Sequence, residues 1–98
     1  MTKEAAEYIE DIRKAKGYNR IYCYNEKEIK DCLDYLALLD VRWISGDLAN
    51  TWKPSSSTRI YLRINGSTLT FDSASSSHRF TKTEIRWKDL KKEAIEND

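Results

Sequence analysis

Apolar residues recur along this chain with two periods, and the changes of period divide it into elements. From residue 3 to 16, Ala5, Tyr8, Ile9, Ile12 and Ala15 return at helical spacing between Glu and Lys, which predicts an amphipathic helix. Thr2 suits its N-cap, and Gly17, following Lys14 and Lys16, suits its stop. Residues 20–24 alternate as a strand, with Ile21 and Cys23 on one side and Arg20, Tyr22 and Tyr24 on the other. Asn25 with Glu28 three residues on has the form of a capping box. Ile29, Cys32, Leu33, Leu36 and Leu39 then form the buried stripe of a second helix. Residues 41–45 read as a short strand with Val41 and Trp43 inward, residues 46–54 as a loop, and residues 83–87 as a last strand with Ile85 and Trp87 inward. Lys88 to Asp98 reads as a charged tail, a short helix or frayed chain.

Between the loop and the last strand lies the most informative pair, Asn65-Gly66, set between two alternating runs. Asn-Gly favours a type I′ turn, in which both central residues take φ > 0. Such a turn pairs Ile64 with Ser67. Leu62 then faces Leu69 and Ile60 faces Phe71 on an apolar side, while Arg63 faces Thr68, Tyr61 faces Thr70 and Arg59 faces Asp72 on a polar side. The order α-β-α-β-β-β-β predicts an α+β fold, with two helices packed on one face of an antiparallel or mixed sheet. Ninety-eight residues suffice for a single domain, 1–98, with an ordered part of about 3–90 and residues 91–98 as the tail.

Composition removes several classes. The chain is 40% hydrophobic and 34% charged, too apolar for a disordered chain. A net charge of +1 argues against both a DNA-mimicking acid and a nonselective binder of phosphate backbones. Met1-Thr2-Lys3-Glu4 opens into a charged amphipathic segment, so no secretory leader is expected. No apolar run approaches the roughly 18 residues of a membrane span. Cys23 and Cys32 have only His78 to join them, short of a four-ligand zinc site. They are expected to be buried reduced thiols of a cytoplasmic protein, and no metal or cofactor is expected.

From the second helix onward the chain resembles a loose group of small phage and prophage accessory proteins. Leu36 to Leu39, Trp43-Ile44-Ser45-Gly46, Ile60-Tyr61-Leu62-Arg63-Ile64, Leu69-Thr70-Phe71 and Asp89-Leu90 carry the likeness, over about residues 26–90. Where members usually have glycine before the tryptophan strand, this chain has Asp40. Some members block bacterial defence. The resemblance therefore implies a protein of the infected or lysogenic bacterial host cell, whose partner is a defence protein or complex, or its nucleotide signal.

Two groups of residues are candidates for that contact. With helices on one side of the sheet, Arg20, Tyr22, Tyr24, Arg42, Arg59, Tyr61, Arg63, Thr68, Thr70 and Arg86 are expected on the other, opposed by Asp72 and Glu84. Arg and Tyr are the anchors of protein interfaces and also stack on bases and pair with phosphates. An ordinary solvated face is the competing reading, since Tyr and Thr are good strand formers. Trp52, in a Thr-Trp-Lys-Pro loop, either folds back or meets a partner.

The second group is the serine cluster. Ser55, Ser56, Ser57 and Thr58 precede the hairpin and Ser73, Ser75, Ser76 and Ser77 follow it, beside Arg59, His78 and Arg79. Hydroxyls and loop N–H groups near arginine can hold an anion, although polar hairpin loops account for the same composition more simply. His78 as a catalytic base lacks a carboxylate close in sequence, Asp72 being taken as the nearest, and is read as a loop histidine. The sequence therefore favours a non-enzymatic binding protein acting through the Arg/Tyr face and its loops. The alternative is a nucleotide or nucleic-acid binder using the same face with Ser55, Ser56, Ser57, Ser75, Ser76, Ser77, His78 and Arg79. Self-association through the face is compatible with either, and a small enzyme using His78 ranks third.

Overall fold

The computed structural model describes residues 1–54, 59–75 and 77–96, apart from the side chains of residues 95 and 96. The fold is α+β. Helix α1 (Lys3–Lys16), strand β1 (Arg20–Cys23), helix α2 (Glu26–Leu38), strands β2 (Arg42–Trp43), β3 (Ile60–Asn65), β4 (Thr68–Ser73) and β5 (Glu84–Arg86), and helix α3 (Trp87–Glu96) follow in order, with a 3-10 turn at Ala49–Thr51. The strands form one mixed sheet in the order β2-β4-β3-β1-β5. The two central pairings, β3 with β4 and β1 with β3, are antiparallel; the outer pairings, β1 with β5 and β2 with β4, are parallel.

The helix ends form as their sequences direct. Thr2 Oγ1 accepts the Ala5 N–H at 3.2 Å. Gly17 takes φ +74, and the N–H groups of Gly17 and Tyr18 close onto the carbonyls of Lys14 and Arg13. Asn25 Oδ1 accepts the Glu28 N–H at 2.9 Å, while the Glu28 carboxylate accepts from Asn25 Nδ2 at 3.1 Å.

Helix α1 buries a different stripe from the one its apolar residues suggest. Ala6, Ile9, Glu10 and Arg13 face the core, whereas Tyr8 is exposed. The two charged residues are tolerated because they satisfy each other. Arg13 pairs with Glu10 and donates to the Tyr18 carbonyl, and Tyr35 Oη donates to Glu10 at 2.9 Å. Burial and the neighbouring Glu10 carboxylate raise the Tyr35 pKa, which keeps the phenol a donor.

Of the two forms expected for the charged C-terminal segment, short helix or frayed chain, the structure has the helix, α3. Leu90 and Ala94 of α3 enter the core. The helix is fastened to α2 because Trp87 Nε1 and Lys91 Nζ both donate to Asp31, at 2.9 and 2.7 Å. Cys23 and Cys32 are buried and not disulfide-linked.

The hairpin register also differs. Asn65 pairs with Thr68, Ile64 with Leu69, Arg63 with Thr70, Leu62 with Phe71 and Tyr61 with Asp72. The central turn residues are Gly66 and Ser67, and Gly66 alone of the two has positive φ, at +65. That is the type II′ pattern, with glycine first, rather than type I′. Each strand partner moves by two residues, so every side chain keeps its face.

Candidate functional site

The outer sheet face is only half open. Residues 77–83 cross the outside of β1, held there by hydrogen bonds from the Asn19 and Arg20 N–H groups to the Thr83 carbonyl. Tyr22 is consequently buried, with 2% of its surface accessible. This corrects its expected place on an open face: His78 and Phe80 stack on its ring at centroid distances of 4.8 and 4.6 Å.

Glu84 lies at the centre of this covered half and is also buried. Tyr22 Oη donates to its carboxylate, Thr81 donates through both N–H (3.0 Å) and Oγ1 (2.7 Å), and His78 Nε2 lies 3.1 Å away. Burial by itself would raise the Glu84 pKa. The hydrogen bonds from Tyr22 and Thr81 outweigh that and hold it at about 2. Burial first, and then the bond to Glu84, raises the Tyr22 pKa. Glu84 was the carboxylate missing from the sequence reading of His78; the Thr81-x-x-Glu84 spacing was the available clue.

Several other candidates are committed within the covered half. Arg20 Nη1 stands 3.7 Å from the Glu84 carboxylate, and its guanidinium lies over Tyr61. Arg86 makes two 3.0 Å bonds to Glu28. Arg86 and Arg59 both place guanidinium carbons over the Tyr24 ring, 4.0 and 4.1 Å from its centroid. Arg59 therefore does not face Asp72 across the hairpin; the residue opposite Asp72 is Tyr61.

Of the anion-site candidates, Ser55, Ser56, Ser57 and Ser76 lie outside the described residues. Ser75 and Ser77 are exposed, with hydroxyl oxygens 2.9 Å apart, and Arg79 is exposed. His78, though exposed, directs its Nε2 to the Glu84 carboxylate.

The open half comprises Arg42, Tyr61, Arg63, Thr68, Thr70 and Asp72, all exposed except the half-buried Tyr61. Beside it is a feature that alternation did not indicate. Phe71 shares the inner face with Leu62, yet is 42% exposed. At this side of the sheet Trp43 and Trp52 stand against it. The three rings pack mutually tilted or edge-on, with centroids 5.1 to 5.8 Å apart. Trp43 is anchored by donating its indole N–H to the Ala49 carbonyl at 3.0 Å. Trp52 thus folds back and still presents 49% of its surface, and Ile44 presents 81%. Together with Ser45, Asp47, Leu69 and Thr70 they line an open groove of about 460 Å³.

The turn before β2 is distinctive as well. Asp40 is at φ +60, the one non-glycine residue with positive φ among those described. Its carboxylate accepts from Arg42 Nη2 at 3.0 Å. Among the described residues no group of three or more His, Cys, Asp and Glu is placed to hold a metal ion, and no helix is long and apolar enough to cross a membrane. Compared with protein-family models, curated proteins and solved structures, the chain matches none.

Proposed function

We propose that the chain is a non-enzymatic binding protein that seats a protein partner on the open half of the sheet face and the adjoining aromatic groove. The observation that carries this reading is the cluster of Ile44, Trp52 and Phe71, exposed together at the side of the sheet. Aromatic and aliphatic surface of this kind, bordered by Thr70, Arg42 and Arg63, has the make-up of an interface core with a polar rim. The resemblance to phage accessory proteins makes a bacterial defence protein or complex the partner class to test first, with inhibition as the outcome of binding.

The test is affinity capture from a bacterial host lysate, followed by reconstitution with the purified captured protein. Wild type is expected to hold one stoichiometric partner in moderate salt. Trp52→Ala and Arg63→Ala, verified as folded by circular dichroism, are expected to lose it. Retention of the partner by both variants would overturn the assignment of this surface. Binding that collapses steeply with salt and transfers to nucleic acid would support the nucleotide-binding alternative instead.

A further inference from the structure

The groove has a specific origin in the sheet. Strand β2 pairs with β4 only at Arg42–Thr68 and Trp43–Leu69. It then leaves the sheet in a tight turn, in which Gly46 N–H donates to the Trp43 carbonyl and Trp43 N–H to the Asp47 carbonyl, both at 2.8 Å. Strand β4 continues to Ser73. The groove is lined by Ile44, Ser45 and Asp47 of the departing chain and by Leu69, Thr70 and Phe71 of β4, and so lies at the lane that β2 vacates.

The main chain facing this lane can be assigned from the ladder. The Ala74 N–H donates to the Arg59 carbonyl at 2.9 Å, and the Ile64 N–H points the other way, to Asn19 on the β1 side. Antiparallel pairs alternate between bonded and non-bonded. Arg63–Thr70 and Tyr61–Asp72 are then the bonded pairs of β3 and β4. Phe71, opposite Leu62, turns its N–H and C=O outward to the groove. The next outward N–H, that of Ser73, is already taken by the Asp72 carboxylate at 2.8 Å. A strand edge with an outward donor and acceptor is a template for another strand.

The lining also has a charge preference. The grooves elsewhere on the molecule include basic residues, such as Lys30 and Lys53 in one and Arg13 and Lys14 in another. This groove has none; its one charged residue is Asp47, which shares the lining with Trp43, Trp52 and Phe71 and accepts from Ser45 Oγ at 3.1 Å. A carboxylate beside electron-rich rings favours a cationic side chain with an aliphatic stem.

We propose that the groove takes an extended segment of a partner protein, which pairs with the β4 edge at Phe71 and places an arginine or lysine against Asp47 and Trp52. This is strand addition, in which the main chain supplies affinity and the side-chain pocket supplies specificity. It rests on the binding-surface reading above and specifies its partner.

The probe is a capped pentapeptide, acetyl-Val-Arg-Val-Thr-Val-amide, titrated into the isotopically labelled full chain and followed by NMR. Expected are saturable shifts of the Phe71 amide and of the Trp43 and Trp52 indole N–H signals, with slower exchange of the Phe71 amide. The peptide carrying Glu in place of Arg should bind more weakly, as should wild-type peptide to Asp47→Asn, the latter by about two- to fivefold. Trp52→Ala should weaken binding by roughly tenfold or more. A peptide N-methylated along its backbone should not bind.

Absence of saturable shifts at Phe71, or equal binding of the Arg and Glu peptides, would overturn the proposal. So would a concentration-dependent dimer, seen by sedimentation and lost on Ile44→Asp, since that would give the groove to a second copy. If the peptides fail while the captured protein still requires Trp52 and Arg63, strand addition falls and the binding-surface reading stands. If the captured protein ignores both residues, that reading falls regardless of the peptides.

Discussion

Tyr22 donates a hydrogen bond to Glu84 from the side of the sheet that alternation marks as solvent-facing, and both residues are buried there. Each secures the other: the phenol stabilises an ionised carboxylate, and the carboxylate gives a buried hydroxyl its partner. Tyr22→Phe is expected to cost about 1–2 kcal/mol and Glu84→Gln about 1–3 kcal/mol, since Thr81 and Tyr22 then face a weaker acceptor. Urea denaturation midpoints measure both. An unchanged midpoint in either variant would show that the covering segment is not held by this network.

Acid should expose the same network. The Glu84 pKa, lowered from 4.5 to about 2 in the folded chain, lies below its unfolded value, so the folded state binds fewer protons between the two. The resulting stability is fully present above about pH 4.5 and is lost as pH falls toward 2. Denaturation midpoints taken from about pH 5 down to about pH 2.5 should fall more steeply for wild type than for Glu84→Gln. Equal slopes would remove Glu84 from the acid response.

Asp40 carries a left-handed backbone, at φ +60. A β-branched residue resists that conformation, so Asp40→Val should lose about 1–3 kcal/mol. Asp40→Gly relieves the conformation but forfeits an exposed pair with Arg42, and should lie within about 1 kcal/mol of wild type. Thermal unfolding of the two variants side by side decides the matter. Equal stabilities of the Gly and Val forms would contradict the assignment.

Leu62 and Trp52 should separate stability from binding. Leu62 is fully buried, and Leu62→Ala should cost about 2–5 kcal/mol. Trp52 is half exposed, and its truncation should cost less than Leu62→Ala while abolishing capture of the partner. Comparable destabilisation by both would mean that Trp52 is a core residue.

Much of this fold was legible as periodicity. The caps at Thr2, Asn25 and Gly17 follow from residue type, and the inward sides of β1, β2 and β5 follow from a period of two. The turn was misplaced by one residue because glycine suits either central position. The helical stripe of α1 was misread because Glu10 and Arg13 look like solvent residues until Tyr35 and the Tyr18 carbonyl complete their bonds.

The site was harder to read than the fold. Arg42, Tyr61, Arg63 and Trp52 were identified, and they remain on the accessible surface. Tyr22 and Arg86 were assigned to that surface by alternation alone. Alternation describes a strand and its two faces; it says nothing of a loop that returns across one of them. Phe71 was placed in the core for the same reason, because pattern does not show where the helices stop covering the sheet.

The position of β1 has a consequence for how the chain assembles. This early strand lies between β3 and β5, so its two neighbours are made long after it. The β3–β4 hairpin closes over a short loop, whereas the β1–β5 pairing must bring together distant parts of the chain, and loop-closure entropy delays it. On the ribosome, β1 should wait with one edge open until residues 84–86 emerge. Pulsed amide exchange during refolding should show the Arg63 and Thr70 amides, which bond across the hairpin, protected before that of Ile85.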